Sequence, residues 1–143
     1  MNKTYLFVIG LLSLTPFHTA CADSECSIEF PRAGLCASYS WIVEPATDQE
    51  AKMLLKFWDK ASSKPTGPYV DPAEKLGLEP FMDMGGGHGH GSAPTRYTRK
   101  EAGVYEFRRI FLVMLGDWQL KFQRRDQQNR VLEEAVTTYR VTH

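Results

Sequence analysis

The sequence predicts an all-β protein: an immunoglobulin-like antiparallel β-sandwich behind an N-terminal signal peptide. Three observations predict it. Beyond the leader, the chain breaks into six to eight short apolar or alternating runs. Pro, Gly, Asp and Asn separate these runs where β-turns need them. No long stretch shows the 3.6-residue period of an amphipathic helix. The 143 residues leave about 120 after the leader, which suits one domain of the roughly 100-residue immunoglobulin class.

The leader comes first. Lys3 supplies a positive charge, and Tyr5 to Leu14 is an apolar run too short to span a bilayer as a helix. Pro16 breaks it, and Ala20-Cys21-Ala22 has the small-residue form of a cleavage site. Cleavage after Ala22 assigns residues 1–22 to the signal peptide and 23–143 to the mature domain, with no membrane span left. Processing before Cys21, with lipidation of that cysteine, is the second reading; His18 stands where such sites usually carry an aliphatic residue. The expected location is periplasmic or secreted.

Of three cysteines, removal of Cys21 leaves Cys26 and Cys36. An even pair in an oxidising compartment predicts a disulfide. The pair brackets Phe30-Pro31-Arg32-Ala33-Gly34, whose Pro and Gly suggest a turn, so the bond would staple a hairpin. A shared thiolate metal site is disfavoured by the wide separation of the two cysteines.

The strands follow in order. Ser27 to Phe30 and Leu35 to Val43 are rich in aromatic and aliphatic residues. Met53 to Trp58 is a short apolar run that periodicity leaves open between strand and helical turn. Residues 61–72 form a loop broken by Pro65, Gly67, Pro68 and Pro72. Leu76 to Phe81 is extended. Gly103 to Phe111 is a strand with Tyr105, Phe107 and Phe111 expected on one face. Leu115-Gly116-Asp117 is a turn. Trp118, Leu120 and Phe122 then alternate inward against Gln119, Lys121 and Gln123. Asp126 to Asn129 turns the chain into a last run, Val131 to Val141, interrupted in β character by Glu133-Glu134-Ala135.

Charge narrows the function. Seventeen basic and seventeen acidic side chains cancel, so no global field favours nucleic acid. Arg108-Arg109 and Arg124-Arg125 read as solvated strand faces.

The richest chemistry lies in Phe81-Met82-Asp83-Met84-Gly85-Gly86-Gly87-His88-Gly89-His90-Gly91. Thioether is a soft ligand that selects Cu(I), and imidazole accepts copper or zinc. Copper is therefore the first metal and zinc the second. Met82 and Met84 share a face if the backbone is extended, as do His88 and His90. A flexible glycine loop would fold the imidazoles back over the thioethers. Against this stands core packing, because Leu76, Leu78, Pro80, Met82 and Met84 form one alternating apolar face. Asp83 points the other way. Met53 reads as core, and His143 as a disordered terminus.

The segment just quoted, with Gly103-Val104-Tyr105 and Phe111-Leu112-Val113-Met114-Leu115-Gly116-Asp117-Trp118-Gln119-Leu120, resembles the YtkA-like domain and the related FixH-like proteins. The resemblance covers about residues 76–124. It implies an exported immunoglobulin-like sandwich associated with copper handling. It implies Met82 or Met84, His88 and Met114 as ligands, with His90 extending the motif. The chain departs from the pattern by an added Gly-Gly-Gly before His88 and by lacking a second proline in the Met segment.

The expected function is an exported copper-binding protein that holds Cu(I) for chaperoning, delivery or sequestration, with a cuproprotein or copper exporter as acceptor. The alternative is a non-metal interaction module, an accessory subunit of a membrane or secretion complex. An enzyme is not expected. A blue-copper site needs a free Cys thiolate, a histidine-brace oxygenase needs His as the first mature residue, and no Ser/His/Asp arrangement stands out.

Overall fold

A computed structural model describes residues 26–143. The signal peptide, its cleavage site and the alternative at Cys21 lie outside the described residues. The strands are β1 (Ile28–Phe30), β2 (Leu35–Val43), β3 (Ala51–Asp59), β4 (Lys75–Gly85), β5 (His88–Gly91), β6 (Arg96–Glu101), β7 (Val104–Ile110), β8 (Gly116–Arg125) and β9 (Val131–Val141). They form a five-stranded sheet in the order β1-β2-β3-β7-β6 and a four-stranded sheet in the order β5-β4-β8-β9. Every pairing is antiparallel. Leaving β1 aside, β2-β3-β7-β6 and β5-β4-β8-β9 reproduce the A-B-E-D and C′-C-F-G order of an immunoglobulin sandwich. The expected fold class therefore holds, with β1 as an added edge strand.

Alternation decides what enters the core. Met53, Leu55 and Phe57 of β3, Phe107 of β7 and Trp118, Leu120 and Phe122 of β8 are each essentially sealed from water. Each such side chain contributes about 1.5–3 kcal/mol by burial. Met53–Trp58 thus resolves as strand, because its odd positions meet the opposing sheet. Two expectations fail locally. Arg109 takes a positive φ of 58° beside a register shift against β3. This break reverses the alternation, so Ile110 and Leu112 are buried and Phe111 is only half-buried. Glu133 and Glu134 do not interrupt β9, because Arg124 and Gln123 opposite them on β8 bind their carboxylates. The strand β6 (sequence Arg-Tyr-Thr-Arg-Lys-Glu) was not foreseen; it is an exposed, charged edge whose Tyr97 packs on Tyr105 and Phe107. His143 is tied rather than loose, since its carbonyl accepts the Thr47 N–H at 3.2 Å.

Cys26 and Cys36 are joined by a disulfide across ten residues of chain, a bond that persists in oxidising compartments. It links the lead-in of β1 to β2 within one sheet. Cys36 pairs with the buried Trp58 on the face away from the other sheet. Replacing both cysteines with serine is expected to cost about 2–4 kcal/mol by loss of loop closure in the unfolded chain. Guanidinium unfolding of the variant beside the parent measures it; equal midpoints would show that β1 is held by packing alone.

Asp71, in the connection before β4, fastens the β6–β7 hairpin. Its carboxylate accepts two bonds from Arg99, one from the Gly103 N–H and one from the Tyr105 hydroxyl, all between 2.7 and 2.9 Å. These donors, Arg99 first, hold the Asp71 carboxyl well below the usual carboxylate range. Burial, reinforced by Asp71, pushes the Tyr105 hydroxyl up to about 12. A carboxyl whose folded pKa is depressed stabilises the fold above its unfolded value near 4, and that contribution is lost as pH falls below it. Asp71→Asn is therefore expected to lower the melting temperature at neutral pH and to shrink the parent's loss of stability between about pH 5 and pH 3. Parallel melting curves in acid would contradict this.

Candidate metal centre

The Met/His segment is a tight hairpin rather than a loose loop. Gly86 and Gly87 form a two-residue turn with φ of 61° and 81°, the positive pair that a type I′ hairpin demands and that glycine adopts without steric cost. The histidines then sit on β5, hydrogen-bonded to β4. Gly89 between them has a different reason. The Phe81 ring lies across its backbone, where a Cβ would overlap the ring, and the Lys121 ammonium lies 4.7 Å from the ring centre on the same outer face. The glycine of His-Gly-His thus lets an aromatic cover the outside of β5, and both imidazoles belong to the other face.

Register decides which candidates meet. Met82 is directly opposite His90, and such partners bring their Cβ atoms to about 5 Å on one face. Met82 is 8% exposed and belongs to the core cluster, and its Cε lies against Gly116 at the start of β8. The His90 and Trp118 rings form a T-shaped pair with centroids 6.2 Å apart. The Trp118 indole N–H donates to the Met114 carbonyl at 2.9 Å, and Met114 packs against the core cluster, half-buried. His90 and the Met114 backbone therefore meet at Trp118, and Met82 faces His90. Met84 and His88 stand nearer the turn. Met84 is the extra residue of a bulge between the Asp83–Gly89 and Gly85–His88 pairs and is 62% exposed; His88 is exposed as well. The bulge breaks the shared face expected for Met82 and Met84. Asp83 turns away as expected, and its carboxylate accepts the Gly85 N–H at 2.8 Å.

Two contributors were not anticipated as parts of the site. Trp118 is a core residue, as expected, but its ring also packs against His90. Gly116 admits the Met82 methyl. Both stand in Met114-Leu115-Gly116-Asp117-Trp118, so the signal was present within the motif that carries Met114. Among the described residues, no three His, Cys, Asp or Glu side chains gather around one point. The donors at this end of the sandwich are two imidazoles and up to three thioethers.

Comparison of the chain with models of protein families, with curated proteins and with solved structures gives no match. The reading of this site rests on its own chemistry.

Proposed function

We propose that this chain is an exported copper-binding protein that takes Cu(I) between the β4–β5 hairpin and the β7–β8 connection. The observation that supports it most is the cross-strand pairing of Met82 with His90, a soft thioether facing an imidazole beside the Trp118 wall. Cu(I) accepts a small set of soft ligands, and Met82, His90 and Met114 supply one. The exposed Met84 and His88 would hand the ion on, because a cuproprotein or exporter acting as acceptor can replace outer ligands one at a time. The role is chaperoning, delivery or sequestration, by binding and not by catalysis. X-ray absorption on the Cu(I)-loaded protein tests it. Copper–sulfur scattering is the expected result; a shell of nitrogen and oxygen alone would refute thioether ligation and bring zinc forward.

A second reading, a non-metal interaction module, draws on the exposed side chains of Val113 and Leu115 beside Met114. It requires function to survive removal of both histidines, which the first reading forbids.

A further inference from the structure

The two outer faces of the sandwich carry different charge. On the four-stranded sheet, signs are matched across strands: Glu79 is opposite Lys121, and Asp117 is opposite Arg140. The five-stranded sheet is not matched. Its inward positions are fixed by the buried Met53, Leu55 and Phe107 and by the packing of the Tyr97 ring on Phe107, so alternation and register turn Lys52, Lys56, Arg96, Lys100 and Arg108 outward. Glu106 shares that face, and both Lys100 and Arg108 bind it. Glu101, opposite Val104, shares it too, as does Glu29 at the β1 edge, which is opposite Cys36 and paired with Lys60; cations still outnumber carboxylates. At the rim, Glu50 accepts from the Arg109 backbone, and these two charges cancel. Lys52, Lys56 and Arg96 have no ion-pair partner among the described residues. A chain of zero formal charge thus concentrates net positive charge on one sheet face.

We propose that this face docks on a membrane surface bearing anionic phospholipids. The cations do not converge on one point, as a bound phosphate requires. They are spread over three strands about 4.8 Å apart, and Lys52 and Lys56 are separated by about 13 Å along β3. Point charges spread over one face, with Lys56 held over the Tyr69 ring, match the diffuse negative potential of a lipid surface, where each Lys or Arg adds about fivefold to binding at low salt. The half-exposed Leu54, between the lysines, and the exposed Ile42 on the neighbouring strand give the face apolar side chains at the headgroup boundary. The inference does not depend on the metal.

The test is flotation of the purified protein with vesicles of phosphatidylcholine, with and without phosphatidylglycerol as about one-third of the lipid. Binding only to the anionic vesicles, falling steeply with salt, is expected. Lys52→Glu/Lys56→Glu/Arg96→Glu should reduce it by more than a hundredfold, at about fivefold or more per reversed charge. Lys75→Glu/Lys121→Glu/Arg140→Glu makes the same charge change on the other sheet and should retain most of the binding. Circular dichroism confirms that both variants fold. No binding to anionic vesicles, equal binding to neutral ones, or equal loss in the two variants would overturn the proposal. So would tighter binding to soluble polyglutamate or DNA than to the vesicles.

Discussion

Alanine at both His88 and His90 is expected to lower Cu(I) affinity by more than about a hundredfold. Losing an outer partner of a metal ligand already costs 10- to 100-fold, and this change removes the ligand His90 outright together with His88, the imidazole proposed to hand the ion on. Both histidines are exposed on a short edge strand, so the fold should survive, and circular dichroism checks that. The measurement is competition against a chromophoric Cu(I) chelator under reducing conditions. The methionines refine the result. Met82→Leu conserves volume in a packed position, which usually costs less than about 1.5 kcal/mol, yet it removes the thioether opposite His90. It should weaken copper more than Met84→Leu, because Met84 lies in the bulge, in solvent. Unchanged affinity in the double alanine variant would end the copper reading. The opposite order for the two methionines would move the ion out to the hairpin tip.

The largest effect on stability is expected at Arg124. Its guanidinium is 7% exposed and lies between Glu74 and Glu133, the latter 8% exposed. It donates through Nε and Nη2 to Glu74, at 3.1 and 2.5 Å, and through Nη1 to Glu133. Its bonds hold the Glu74 carboxyl below its ordinary pKa. One side chain of β8 thus connects the entry to β4 with β9, and Glu133 also accepts the Arg32 N–H from the β1–β2 turn. Arg124→Met keeps most of the apolar stem and strands a buried carboxylate. Breaking a buried pair in this way costs about 3–5 kcal/mol. Adding Glu133→Gln removes the stranded charge and should recover a substantial part. Denaturant unfolding of the single and double variants gives both numbers. A loss under about 1 kcal/mol in the single variant would mean that water reaches the carboxylates and relieves them.

Much of the fold was legible because strand alternation is a local signal. Trp118, Leu120 and Phe122 declare an inward face without reference to anything distant, and all three are buried. The failures had non-local or conformational causes. Arg109 adopts a left-handed backbone that its residue type does not advertise, and that single break inverted the assignment of Phe111. Glu133 and Glu134 look hostile to a strand until Arg124 and Gln123 are placed opposite them. The charged sequence of β6 carries no apolar alternation, and its strand state comes from the ladder with β7. At the site, composition named the ligand types, but their grouping required register.

By itself, the sequence determined the all-β class, the Cys26–Cys36 pair and the concentration of thioether and imidazole in one segment. Each follows from residue type and short-range spacing. The tertiary structure alone decided that Met82 faces His90 while Met84 bulges into solvent, and that Trp118 and Met114 stand beside them. It also decided that a chain of balanced charge has one basic face. The physical reason is common to these outcomes. A β-strand's period of two gives each side chain one of two faces, and only pairing with distant strands settles what it meets there.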